Sequence, residues 1–107
     1  MNINYLDRVP CHNVLWSINN SLITLEIENK GIVKRITQKF LQKPKTSYVH
    51  LDKFGSFIWS KIDGKTSLFE IARLVSEEFG EESNPLYERI TKLFGTLKNY
   101  NFIAWKL

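Results

Sequence analysis

LDKFGSFIWSKIDGKTSLFEIARL, residues 51–74, decides the fold. Phe54, Ile58 and Ile62 recur every fourth residue, which gives a helix one apolar side. Asp52 stands just before them as an N-cap. Asp63-Gly64 ends the periodicity with a turn pair. Behind it Thr66 or Ser67 caps a second helix, and Glu70, three residues after Ser67, is placed as a capping-box partner. The face of this helix is Leu68, Ile71, Ala72, Val75 and Phe79, and Gly80 is its stop. Two amphipathic helices, 52–62 and 67–79, are therefore predicted.

Further along, Asn84-Pro85 offers a cap and a first-turn proline for a third helix, 85–100. Its apolar stripe is Leu86, Ile90, Leu93, Phe94 and Leu97. The tail 101–107 is short and apolar, suited to closing the core or adding a strand. Upstream, Val14–Asn19 and Leu22–Glu28 are rich in β-branched and aromatic residues, with Asn19-Asn20-Ser21 suited to a hairpin turn. Thr46–Leu51 reads as a third strand, with Ser47, Val49 and Leu51 on one face and Thr46, Tyr48 and His50 on the other. Between them Ile32, Val33, Ile36 and Phe40 suggest a short basic helical insertion, 31–43, ended by Pro44. Residues 1–107 thus read as one α+β domain without repeat or linker.

Composition supports a packed core, since 43% of the 107 residues are apolar and 13% aromatic. Such a chain does not read as disordered. No apolar run approaches the roughly 18 residues that span a bilayer. MNINYLDRVP lacks the pattern of a secretory signal, and the single cysteine, Cys11, cannot form an internal disulfide; both lead us to expect a cytoplasmic protein. The net charge is +4. Six basic residues and no acid fall between Lys30 and Lys45, whereas residues 66–107 hold five basic against six acidic groups.

Catalysis requires a constellation that this chain does not spell. There are two histidines, His12 and His50, and one cysteine. A structural zinc site usually takes four Cys or His ligands, so adjacent Cys11-His12 reads as a polar dipeptide. No Gly-rich phosphate loop, paired-carboxylate motif or Gly-x-Ser-x-Gly is present. We expect no enzyme activity, no cofactor and no metal.

The opening stretch resembles the helical core of the PqqD-like family, whose pattern runs Leu-(Asn/Asp)-x-x-Gly-x-x-(Ile/Val)-Trp-x-x-(Ile/Leu)-Asp-Gly-x-x-Thr-(Val/Ile)-x-x-Ile. Leu51, Asp52, Gly55, Ile58, Trp59, Ile62, Asp63, Gly64 and Ile71 carry the likeness. Phe79-Gly80 and the run from Leu97 to Ile103 fit the remainder, so the likeness spans about residues 14–103. The chain departs from the pattern at Ser67 and in the basic segment 30–43. What the resemblance implies is a winged-helix-like domain, three antiparallel strands followed by three helices. It further implies a non-catalytic adaptor or chaperone. Such a domain binds the leader of a ribosomally made precursor peptide and delivers it to a modifying enzyme, often a radical S-adenosylmethionine protein.

The third strand of a meander lies at an edge, where a peptide can add as a further strand. We therefore expect Thr46, Ser47, Tyr48, Val49 and His50 to bind the leader, unless 102–107 covers that edge. On the third helix Tyr87, Thr91, Phe94 and Lys98 lie on one flank of the core stripe. They are expected to form a groove wall, with Lys98 attracting an acidic leader residue; core packing is the other reading of Phe94. The alternative function is winged-helix DNA binding. Glu81, Glu82 and Glu88 at the head of the third helix would repel phosphate, so no specific nucleic-acid partner is expected, and no membrane partner.

Overall fold

The computed structural model describes residues 5–29 and 45–106. The expected basic helix, 31–43, lies outside them. After a 3-10 turn, Tyr5–Asp7, the strands are β1 (Pro10–His12), β2 (Leu15–Asn19), β3 (Leu22–Asn29) and β4 (Lys45–His50). Helices α1 (Lys53–Ser60), α2 (Leu68–Phe79) and α3 (Leu86–Asn99) follow, and β5 (Ile103–Trp105) closes the chain. Three antiparallel strands in the order β2-β3-β4 precede three helices, as the α+β reading anticipated.

Two features depart from it. Pro10–His12 forms a strand that the sequence did not announce, because three residues are too short for a period to show. The tail pairs with that strand, Cys11 opposite Ala104, in a separate two-stranded ribbon. It therefore does not cover β4. Pro10 and Ile103 are both buried, so the ribbon closes one end of the core.

The hairpin turns through Asn20 and Ser21, both at positive φ (54° and 67°), as a type I′ two-residue loop requires. Ile23 and Leu25 on β3 are buried and pack with Ile58, Trp59, Leu68, Ile71, Val75, Ile90 and Phe94. Among the described residues helices cover one face of the sheet. Asp52 caps α1 by accepting the Gly55 N–H at 2.8 Å. A Cβ at Gly55 would sit 3.2 Å from that same oxygen, which explains the glycine. Ser67 caps α2 through the Glu70 N–H, but the return half of the capping box is absent, because the Glu70 carboxylate pairs with Arg73 instead. Thr66 closes a turn rather than capping the helix, donating its N–H and hydroxyl to the Asp63 carboxylate. Backbone and hydroxyl donors hold that carboxyl below its ordinary range. The cap expected from Asn84 is not made either; the residue preceding α3 is Pro85 and no side chain caps the helix.

Candidate functional site: the outer edge of β4

Strand β3 pairs with β4 in the register Leu25 opposite Val49 and Ile27 opposite Ser47. The Leu51 N–H donates to the Ile23 carbonyl at 2.9 Å. Antiparallel ladders alternate, so Leu51, Val49 and Ser47 turn their main-chain groups inward to β3. Thr46, Tyr48 and His50 turn theirs outward. Among the described residues no strand pairs with that outer edge. The reciprocal bond at the end of the ladder is replaced by a side chain. Ser56 of α1, only 2% exposed, accepts from the Ile23 N–H at 2.8 Å and donates to the Leu51 carbonyl at 3.3 Å. Helix α1 is thereby stitched to the end of both strands, which fixes the sheet edge against the helices.

The β4 side chains divide as expected. Val49 is half-buried against the core, while Tyr48 is 59% exposed and stands opposite Glu26. His50 and Thr24 share a 3.0 Å side-chain hydrogen bond on the open face.

Where the chain leaves β4 and enters α1, Phe54 meets α3. The Arg89 guanidinium lies 3.9 Å from the centre of its ring and donates to the Glu82 carbonyl at 2.6 Å. Phe54, Arg89, Lys92, Leu93 and Thr96 line an open hollow of about 430 Å³. Its floor is apolar and its α3 wall carries two cations.

None of the α3 residues expected as a groove wall lines this hollow. Phe94 is fully buried and packs near Trp105, so it belongs to the core, as one of the two sequence readings had it. Tyr87 is exposed, and the Thr91 hydroxyl donates back to the Tyr87 carbonyl. Lys98 lines a different hollow with Tyr5, Arg8 and Trp105. At 100° per residue, Tyr87, Thr91 and Lys98 are roughly opposite Arg89, Lys92 and Thr96 around the helix. The sequence identified a flank but had no means of choosing which one. Arg89, Lys92, Leu93 and Thr96 were missed, and the only signal for them was that Leu93 is the edge of the core stripe nearest two cations.

Exposed Glu81, Glu82 and Glu88 surround the start of α3. Among the described residues no group of three or more His, Cys, Asp or Glu is placed to hold a metal, and no helix is long and apolar enough to cross a membrane.

No curated protein and no solved structure matches the chain. The family model described as Coenzyme PQQ synthesis protein D (PqqD) matches residues 38–103, more than half of the chain. The match covers β4 and all three helices and leaves the β2–β3 hairpin outside, so it starts later than the resemblance at residue 14 had suggested. With the winged arrangement of sheet and helices in place, the chain belongs to the PqqD family, a family of accessory proteins in coenzyme PQQ synthesis.

Proposed function

We propose that this protein is a non-catalytic adaptor. It takes the leader of a ribosomally made precursor peptide as an added antiparallel strand on β4 and presents it to a modifying enzyme of the radical S-adenosylmethionine kind. One observation carries the reading: the outward main-chain groups of Thr46, Tyr48 and His50 form an edge with no strand partner among the described residues, in a chain of this family. Strand addition gains main-chain hydrogen bonds there and specificity from alternate side chains. The hollow beyond β4 supplies the second requirement, a place for anchors, with Phe54 and Leu93 for an apolar residue and Arg89 and Lys92 for an acidic one. Family membership supports a peptide-binding partner role. The acidic surroundings of the α3 start favour this over duplex binding, since carboxylates there repel phosphate.

The test is calorimetric titration with synthetic leader peptides, taken from whatever short precursor-like reading frames sequencing finds beside the gene. Tyr48→Pro removes one outward donor and should weaken binding about tenfold, which corresponds to about 1.4 kcal/mol. Its melting temperature should move little. Folded Tyr48→Pro protein that binds the leader as tightly as the wild type would refute strand addition here.

A further inference from the structure

The end of the molecule away from Phe54 holds a second built hollow. Tyr5, Arg8, Gly95, Lys98, Asn99, Asn101 and Trp105 enclose about 410 Å³, open to solvent, and none of them is acidic. The Arg8 guanidinium lies against two rings, 5.1 Å from the centre of Tyr5 and 5.4 Å from that of Trp105. Those rings meet edge to face at 5.6 Å. The Arg8 Nε is buried and has no hydrogen-bond partner. Lys98 likewise has no acceptor among the described residues. Leaving that Nε unmet is costly, and the terminal guanidinium nitrogens, which have no acceptor among the described residues, are the donors that can take one from outside.

From this juxtaposition we propose that Arg8 and Lys98 form a binding site for a carboxylate carried by a partner protein. The fork of a stacked guanidinium matches a carboxylate in a bidentate pair, and Lys98 adds a point charge beside it. Carboxylate is favoured over phosphate by position. The hollow lies at the C-terminal turn of α3, where the helix dipole is negative and opposes a dianion more than a single charge, even with the Thr96, Leu97 and Lys98 carbonyls met by backbone N–H groups. Being shallow and open, the site fits one side chain on a protein surface rather than an enclosed metabolite. It is separate from the β4 edge, so an adaptor holding its peptide there can engage an acidic patch on a second protein here.

The probe is an acetylated, amidated tetraglutamate peptide, with inorganic phosphate as the comparison arm, followed through the Arg8 Nε–H and Trp105 indole N–H resonances of the full chain. The expected result is saturable movement of both signals with the peptide, weak or absent movement with phosphate, and at least threefold weaker peptide binding in Lys98→Gln. Among the described residues Lys98 makes no side-chain hydrogen bond or ion pair, so that variant is expected to keep the fold. Three results overturn the proposal: no saturable peptide shift, an unchanged peptide affinity in Lys98→Gln, or tighter binding of phosphate than of the peptide.

Discussion

The sheet has two outer edges, and they are built from different materials. On β2 the outward main-chain positions are Trp16 and Ile18, because Leu15, Ser17 and Asn19 pair inward with Glu26, Thr24 and Leu22. No charge occurs from Leu15 to Leu25, and Ile18 is 58% exposed. The hollow beside that edge, lined by Ile18, Phe57 and Phe79, has Lys53 and Glu78 of opposite sign at its rim. On β4 the outward positions are Thr46, Tyr48 and His50, and the hollow at Phe54, where the chain has just left β4 for α1, carries cations alone. An uncharged apolar edge attracts any extended chain, whereas a polar edge beside fixed charge selects. The proposed recognition at β4 rests on this difference. The β2 edge is restrained by its brevity and by Trp16, which folds under toward His12 at 5.3 Å.

The largest effects should come from inward positions, at either edge. Val49→Pro removes a ladder donor and a half-buried side chain and should cost on the order of 3 kcal/mol of stability. Ser17→Pro should be damaging for the same ladder reason. Ser56→Ala should cost about 1–3 kcal/mol, since it leaves the Ile23 N–H buried without an acceptor. Chemical denaturation measures all three. A Val49→Pro protein as stable as the wild type would mean that the register, and with it the outward assignment, is wrong.

Next in size is the contrast between outward prolines. Tyr48→Pro and Ile18→Pro should both melt within a few degrees of the wild type. Only Tyr48→Pro should lose leader affinity, by about tenfold. Equal losses from both would abolish the distinction between the edges, and a loss from Ile18→Pro alone would reverse it.

How far this contrast was legible in the sequence depends on the residue. The three helices and the β4 alternation could be read because a period of 3.6 or 2 repeats several times within each. The turn at Asn20-Ser21 and the Asp52 cap were legible from local chemistry alone. Strand β1 was not, because its strand partner is a tail nearly a chain length away. Nor was Ser56, whose role depends on Ile23 and Leu51 arriving together. Phe94 had two sequence readings, because a wide apolar arc on α3 fits either a groove or a core against two elements; β5 and Trp105 supply the second element. Which flank of α3 meets Phe54 of α1 depends on how the helices cross, and one sequence does not state that.

A smaller effect tests the cations. Lys92 is exposed and has no acceptor among the described residues, so its attraction for an acidic leader residue is screened by water and salt. Lys92→Glu should weaken leader binding by up to about 1 kcal/mol at low ionic strength, with the difference shrinking as salt rises. Glu78→Lys, beside the β2 edge, should leave the affinity within twofold. An equal response to both substitutions would show general charge attraction rather than selection at β4.

The smallest expected effect is a pH response confined to the β2 side. The His12 ring stacks on Trp59 at 4.3 Å, meets Trp16 edge to face and bonds the Trp59 carbonyl at 3.0 Å. Burial lowers its pKa from the ordinary 6.5, and the hydrogen bond to that carbonyl only partly opposes the shift. The folded chain therefore holds fewer protons than the unfolded one just below pH 6.5, and stability rises with pH through that window. The stabilisation from neutral His12 is complete above pH 6.5 and declines as pH falls toward the lowered folded value. His12 remains partly open to water, so the decline should be modest. Melting temperatures taken between pH 7.5 and 5.5 should fall more for the wild type than for His12→Phe, which keeps a ring between the tryptophans without a proton to gain. Leader affinity of the folded protein should not follow the same curve, because no contact of His12 reaches β4. Parallel slopes for the two proteins would remove His12 as the cause, and a leader affinity that tracks the melting curve would show that the two edges are coupled rather than independent.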